Sequence, residues 1–273
     1  MLSYPQALDV IAKSVALLEP RACPLRDALN AVAAEPIDSL SDVPPFANAA
    51  MDGFALHSDR TADASETDPV RLQSIGCIAA GQPLKAIAPD AQAIEIMTGA
   101  PVPSAFDAIV PVERTALDDS GHVMISQPVP AGANIRRAGE DFRAGQPLIA
   151  AGTRLRPRHI MGLAASGADQ IMVRMPPRTA VIATGAEIAD AGVPEETGMI
   201  RDANSPYLTQ SLRRLGIEPA VQPRADDRVE ALMESLRHSL MANELIITTG
   251  GVSAGRFDYV PEAVERIGGE ILF

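Results

Sequence analysis

Seven carboxylates in this chain sit in loops rather than in periodic segments. Asp52, Glu140, Asp141, Glu187, Asp202, Asp227 and Asp258 all fall in stretches that carry Gly or Asn. Hard oxygen ligands of that kind suit Mg2+, which takes one or two carboxylates and completes its shell with substrate phosphates. Each also has an ordinary structural use: Asp202 and Asp227 stand where helix caps would, and Asp258 where a first-turn carboxylate would face a helix dipole. The second chemical feature is Gly250-Gly251-Val252-Ser253-Ala254-Gly255. Its consecutive amides can form an anion-binding nest, and its glycines let a ligand approach the backbone. It matches neither G-x-G-x-x-G nor G-x-x-x-x-G-K-[ST], so dinucleotide and P-loop chemistry are not indicated. His57, His122, His159 and His238 show no ligand spacing, and no zinc site is expected. A G-x-S-x-G nucleophile elbow is absent from the sequence.

The elements that must position these groups change texture along the chain. Ser3 and Gln6 have capping-box spacing, and Leu8, Ile11, Val15 and Leu18 recur on one helical face until Pro20. A second short helix is expected over Leu25 to Ala34. From Val43 to Ile135 the segments become short, Pro/Gly-punctuated and β-like: Val70–Ile75, Ile94–Met97, Ala108–Val112 and Val123–Ser126. Leu148–Ala150 and Ile171–Val173 read as strands and Arg158–Ser166 as a helix. Beyond Pro176-Pro177, strand and helix alternate. The strands are Thr179–Ala183, Ile217–Val221, Leu245–Ile247 and Glu270–Phe273. The first helix begins near Asn204-Ser205-Pro206 and stops at Gly216. The second is capped by Asp226 or Asp227, with Val229, Met233, Leu236 and Leu240 inward. The third carries Val260, Ala263, Val264 and Ile267. Such alternation predicts an open parallel sheet with helices on both faces, whose ligands bind beyond the carboxyl ends of the strands. Thr184-Gly185-Ala186-Glu187, the Asp226-Asp227 pair and the Gly250 loop occupy those ends.

Composition narrows the function classes. The 273 residues include 35 acidic and 23 basic side chains, a net charge of −12, with 47% apolar and 21% charged residues. A soluble globular protein of roughly two domains at about 100–200 residues each is implied. The acidic balance, with six Phe, three Tyr and no Trp, argues against nucleic acid, which needs cations and stacking platforms. No apolar run reaches the roughly 18–20 residues of a bilayer span, and the N-terminus lacks the features of a secretory signal. Cys23 and Cys77 form no framework and are expected as buried or partly buried thiols in a reducing compartment, the cytoplasm by default. No membrane partner is expected.

The motifs in order resemble a known family. Pro44-Pro45-Phe46-Ala47-Asn48-Ala49-Ala50-Met51-Asp52-Gly53-Phe54-Ala55 is similar to the "PPF-x-NSAMDGYA" signature of the molybdopterin molybdenumtransferases, which include MoeA and the gephyrin E domain. Ile96–Pro103 with Asp107–Val110 resembles "IMTGAPVP…DAVV", and Arg137–Asp141 resembles "R-x-GED". Ala183–Glu187 resembles "TGDE", with Ala186 where the family usually has Asp. Thr249–Gly255 with Asp258 resembles "SGGVS-x-G-x-x-D". The family's Lys/Pro-rich "KPGKP" segment and its C-terminal β-domain would follow Phe273, so the resemblance is to a C-terminally truncated member.

The resemblance implies an α/β plus β-rich multidomain fold: a linking domain (1–42 and 136–176), an inserted β-rich domain (43–135) and an incomplete doubly wound molybdopterin-binding domain (177–273). It implies a Mg2+-dependent enzyme of molybdenum cofactor biosynthesis that inserts molybdate into adenylylated molybdopterin and releases AMP. It also implies a homodimer with a shared cleft. Asp52, Asp141, Glu187, Asp227 and Asp258 would be catalytic, the last three holding the metal. Thr98, Gly99, Thr184, Gly185, Gly250, Gly251, Val252 and Ser253 would hold the pterin nucleotide. The alternative is a non-catalytic truncated paralogue that binds molybdopterin or acts as a scaffold.

Overall fold

The computed structural model describes residues 2–82, 87–88, 90–189, 198–226, 228–250 and 259–273. The chain divides into two compact units: Ile37–Leu148 with Met161–Asp169, and Met1–Pro36 with Ile149–Ile160 and Gln170–Phe273.

The first unit is built on a six-stranded sheet. Gly53–Leu56 lies between Ala108–Pro111 and Ala93–Ile96; Val70–Ile78, His122–Ile125 and Thr115–Leu117 complete the order. Most neighbours are antiparallel, but Val70–Ile78 and Ala93–Ile96 run parallel, with an irregularity between Ser74 and Cys77. Side chains alternate across a strand, and strands Gly53–Leu56 and Ala108–Pro111 of this sheet are buried on both sides. Phe54 and Leu56 join Leu72, Val110, Val123 and Ile125 in one core. Ala55 between them joins Ile94, Ile96, Phe106 and Ile109 in another. The four strands expected in this unit are all present, three within one residue of their bounds, while Val70–Ile75 runs on to Ile78.

The second unit carries a three-stranded parallel sheet, with Thr179–Ala183 between Ala220–Val221 and Leu245–Thr249. Every residue of Thr179–Ala183 is buried, so both of its faces are covered, as the continuous apolar run demands. Helices Val229–Leu240 and Val260–Arg266 pack together with Ile182, and helix Asn204–Arg214 packs against the central strand. The last ends at Gly216, whose φ of +73° suits the left-handed stop read from the sequence. An antiparallel sheet of Arg21–Pro24, Gln170–Arg174 and Val32–Ala33 belongs to the same unit. Its N-terminal helix, Tyr4–Ser14, has the expected Ser3/Gln6 capping box but buries no residue.

Five expectations need correction. Leu25–Ala34 is a short 3-10 turn, Leu25–Asp27, flanked by strands, because the backbone at 21–24 and 32–33 pairs with Gln170–Arg174 instead of with itself. Helix Val229–Leu240 buries Val229, Leu232, Leu236 and Ser239 and leaves Leu240 exposed, a face turned by one position. Its N-cap is Arg228 without a side-chain cap bond, while Asp226 forms an ion pair with Arg228 at 3.5 Å. Residues 270–273 form no strand and are exposed. Cys23 is buried as expected, but Cys77 is exposed. Partial desolvation, and then neighbouring Glu95, push the Cys77 thiol up. Among the described residues, no helix is long and apolar enough to cross a membrane.

Candidate functional site

In the β-rich unit, Asp52 precedes strand Gly53–Leu56 and Thr98 follows strand Ala93–Ile96. The antiparallel register sets Gly53 opposite Ile96, which brings the flanking residues together. Asp52 Oδ1 accepts the Thr98 amide at 2.6 Å and the Thr98 hydroxyl at 2.7 Å. Two donors on one oxygen favour the charged form. The Thr98 hydroxyl, and then its amide, hold the Asp52 carboxyl below the usual aspartate value. Gly53 has no room for a side chain, since a Cβ there would lie 2.0 Å from the Val110 carbonyl oxygen. Thr98-Gly99 is fixed from below: the Gly99 amide donates to the Ala49 carbonyl at 2.8 Å, and the Ala49 amide to the Ala100 carbonyl at 3.0 Å.

Strand Asn48–Ala49 carries the same network to the Arg137–Asp141 turn through its pairing with Ile135–Arg136. Asp141 Oδ2 accepts from Arg136 Nη2 at 2.6 Å, and Glu140 accepts the Arg137 amide at 3.0 Å. The hydrogen bond and charge of Asp141 push the Arg136 guanidinium up. Arg136, adjacent to the motif arginine, is thus the partner of Asp141. Sequence reading missed it because the five-residue spacing carries no periodic signal.

In the α/β unit, the carboxyl ends of the three parallel strands gather three loops. The Thr184 amide donates to the Thr249 carbonyl at 2.8 Å, and its hydroxyl donates to the same oxygen at 3.3 Å. Gly250 adopts φ +92°, and a Cβ there would stand 2.3 Å from the Thr184 carbonyl oxygen. Only glycine lets these two loops close on each other. Gly185 opens a turn closed by its carbonyl accepting the Ile188 amide at 3.2 Å, and Glu187 is exposed on that turn. The Glu187 carboxylate has no hydrogen-bond or ion-pair partner among the described residues. An exposed carboxylate with no partner among the described residues can ligate a hard divalent cation.

Asn204, which was not singled out as a site residue, ties the next helix to this end: its Nδ2 donates to Thr249 Oγ1 at 2.7 Å. Asp202 Oδ1 accepts the Ser205 amide at 2.9 Å, the capping role the sequence allowed for it. Asp227, Gly251, Val252, Ser253 and Asp258 lie outside the described residues. Among those described, no group of three His, Cys, Asp or Glu is gathered closely enough to hold a metal.

Comparison with known proteins covers both units. Residues 2–167 match the family described as the MoeA N-terminal region (domain I and II), and residues 180–273 match the probable molybdopterin binding domain. A molybdopterin molybdenumtransferase of Synechococcus elongatus is 39% identical over 279 residues, covering 100% of this chain and 69% of that protein. One from Staphylococcus aureus is 34% identical over 250 residues, covering 91% of this chain and 59% of that protein. The crystal structure of a molybdopterin biosynthesis MoeA protein from Pyrococcus horikoshii superposes with a TM-score of 0.73 at 30% identity, covering 98% of this chain and 67% of that one. The chain therefore spans roughly three-fifths to two-thirds of the length of these relatives.

Proposed function

This chain belongs to the molybdopterin molybdenumtransferase family, and on that premise we propose that it acts in molybdenum cofactor biosynthesis, inserting molybdate into adenylylated molybdopterin with release of AMP. The observation that carries this reading is the strand-end constellation of the α/β unit. There Thr184 and Gly250 lock two loops together, and Glu187 has no carboxylate partner among the described residues. Glu187, with Asp227 and Asp258, would hold Mg2+. When bound, that ion offsets phosphoryl charge as the nucleotide leaves.

The chain's own groups would then divide the work. Backbone amides at Gly185 and the Gly250–Ser253 segment would receive the phosphate and pterin side without adding positive side chains, which suits a protein at −12, while Thr184 holds the two loops together. Asp52, kept ionised by Thr98, would serve as a fixed acceptor for a donor on the substrate. Asp141, engaged by Arg136, would orient rather than exchange protons. Phosphoryl transfer asks mainly for positioning and charge stabilisation, and none of these roles needs a covalent nucleophile. The homodimer with a shared cleft, and the cytoplasm as compartment, belong to the same proposal.

The test is direct. Purified chain supplied with adenylylated molybdopterin, molybdate and Mg2+ is expected to release AMP, with loss of release when Mg2+ is chelated. Pterin binding without AMP release would discard catalysis and favour the non-catalytic binding protein.

A further inference from the structure

The turn that carries Glu187 is fastened by a side chain from another loop. The carbonyls of Ala186 and Ile188, one on each side of Glu187, both accept from Arg224 Nη1, the first at 3.2 Å. That nitrogen carries two N–H bonds, so it can serve both oxygens at once. The Glu187 carbonyl between them accepts the Ile200 amide at 2.8 Å, and the Ile188 amide closes the turn on the Gly185 carbonyl. On this fixed backbone the Glu187 side chain folds back over Gly185, where a Cβ would stand 2.7 Å from Glu187 Oε2.

Arg224 is itself placed by the parallel sheet. The amide of the next residue, Ala225, donates to the Ala183 carbonyl at 3.0 Å, and Ala225 pairs with Thr184. Asp226 follows and forms an ion pair with Arg228. Arg224 therefore ties the Glu187 turn to the loop at the neighbouring strand end.

The choice of acceptors is informative. Among the described residues Arg224 pairs with no carboxylate; its donors go to neutral backbone oxygens that flank one. A cation beside a divalent-ion ligand weakens that ligand's hold by repulsion, so charge alone does not recommend an arginine here. Geometry does. Mg2+ demands near-octahedral placement of its oxygens, and an exposed turn meets that demand only when its backbone is held.

We infer that Arg224 is a positioning residue, which clamps the Glu187 turn so that its carboxylate stands where a divalent cation can use it. The inference rests on the metal role proposed for Glu187 and adds the side chain that sets its place. Mn2+ titration of the 273-residue chain, followed by electron paramagnetic resonance of the free ion with Mg2+ as competitor, is combined with amide hydrogen exchange. Arg224→Met keeps much of the stem and removes the donors. It is expected to weaken Mn2+ binding by about 10- to 100-fold, although loss of a positive charge alone would strengthen it. The Ile188 and Ile200 amides are expected to exchange at least about tenfold faster, with those of Thr179–Ala183 unchanged. Glu187→Gln is expected to lose the ion while both amides stay protected.

Unaltered or tighter Mn2+ binding in Arg224→Met, unaltered exchange at Ile188 and Ile200, or faster exchange throughout Thr179–Ala183 would overturn the assignment. No Mn2+ bound by the wild-type chain, or full binding by Glu187→Gln, would overturn it together with the metal role of Glu187. Arg224-dependent Mn2+ binding without AMP release from adenylylated molybdopterin would instead sink molybdate insertion and keep the clamp.

Discussion

Asp52 in the β-rich unit and Glu187 in the α/β unit are both exposed loop carboxylates next to a strand end, and they are treated in opposite ways. Asp52 is closed: one oxygen takes two hydrogen bonds from a residue 46 positions away, and its charge is held on. Glu187 is open, with no described group satisfying it. A carboxylate already engaged by its own chain is suited to orienting a ligand. One left free is suited to binding a cation that arrives with the substrate. The difference follows from the strands. Antiparallel register places residues before one strand beside residues after the next, so Asp52 meets Thr98 automatically. Parallel strands leave all their carboxyl-end loops at one edge, open to ligand.

The comparison can be broken at its supports first. Gly53→Ala drives a methyl into the Val110 carbonyl inside the six-stranded sheet. It is expected to cost about 3 kcal/mol or more of stability, read from the denaturant midpoint. A midpoint near wild type would show that the Asp52–Thr98 register is not rigidly held.

Next comes the open carboxylate. Glu187→Gln is expected to lower Mg2+-dependent AMP release by roughly 100-fold and to raise the Mg2+ concentration needed, with the fold intact. An unchanged Mg2+ dependence would remove Glu187 from the metal site. Asp52→Asn keeps an oxygen for Thr98 and is expected to reduce turnover by less than Glu187→Gln does, without altering Mg2+ dependence. A changed metal requirement would erase the distinction between the two carboxylates.

The subtlest prediction concerns charge. Asp52 has a lowered carboxyl pKa in the folded protein, so its contact with Thr98 contributes fully above the ordinary aspartate value and is lost as pH falls through the lowered one. Thr98→Val removes the hydroxyl, the larger of the two causes, and should move the Asp52 titration back up toward the ordinary value, followed by carboxyl-carbon NMR. A titration unmoved by the substitution would mean that the backbone amide alone holds the charge.

Much of the α/β unit was legible because its signals are local. Thr179–Ala183 is a continuous apolar run, and Gly216 a positive-φ stop; the Ser3/Gln6 box lies within one turn. The carboxylate loops could likewise be placed at strand ends from alternation alone. Arg136 and Asn204 were not legible as site residues, because they act through a turn and a neighbouring strand end.

The amino-acid order by itself determined most of the segments that extend or coil, and which loops carry carboxylates, because backbone preference and hydrophobic period are properties of a few adjacent residues. Only the tertiary structure decided that Leu25–Ala34 would surrender its helix to a strand partner near residue 172. It also decided which face Val229–Leu240 would bury, and that Asp52 would be satisfied while Glu187 found no partner among the described residues. Those outcomes depend on hydrogen-bond partners and packing surfaces brought from distant positions, and their energies exist only once the chain has closed on itself.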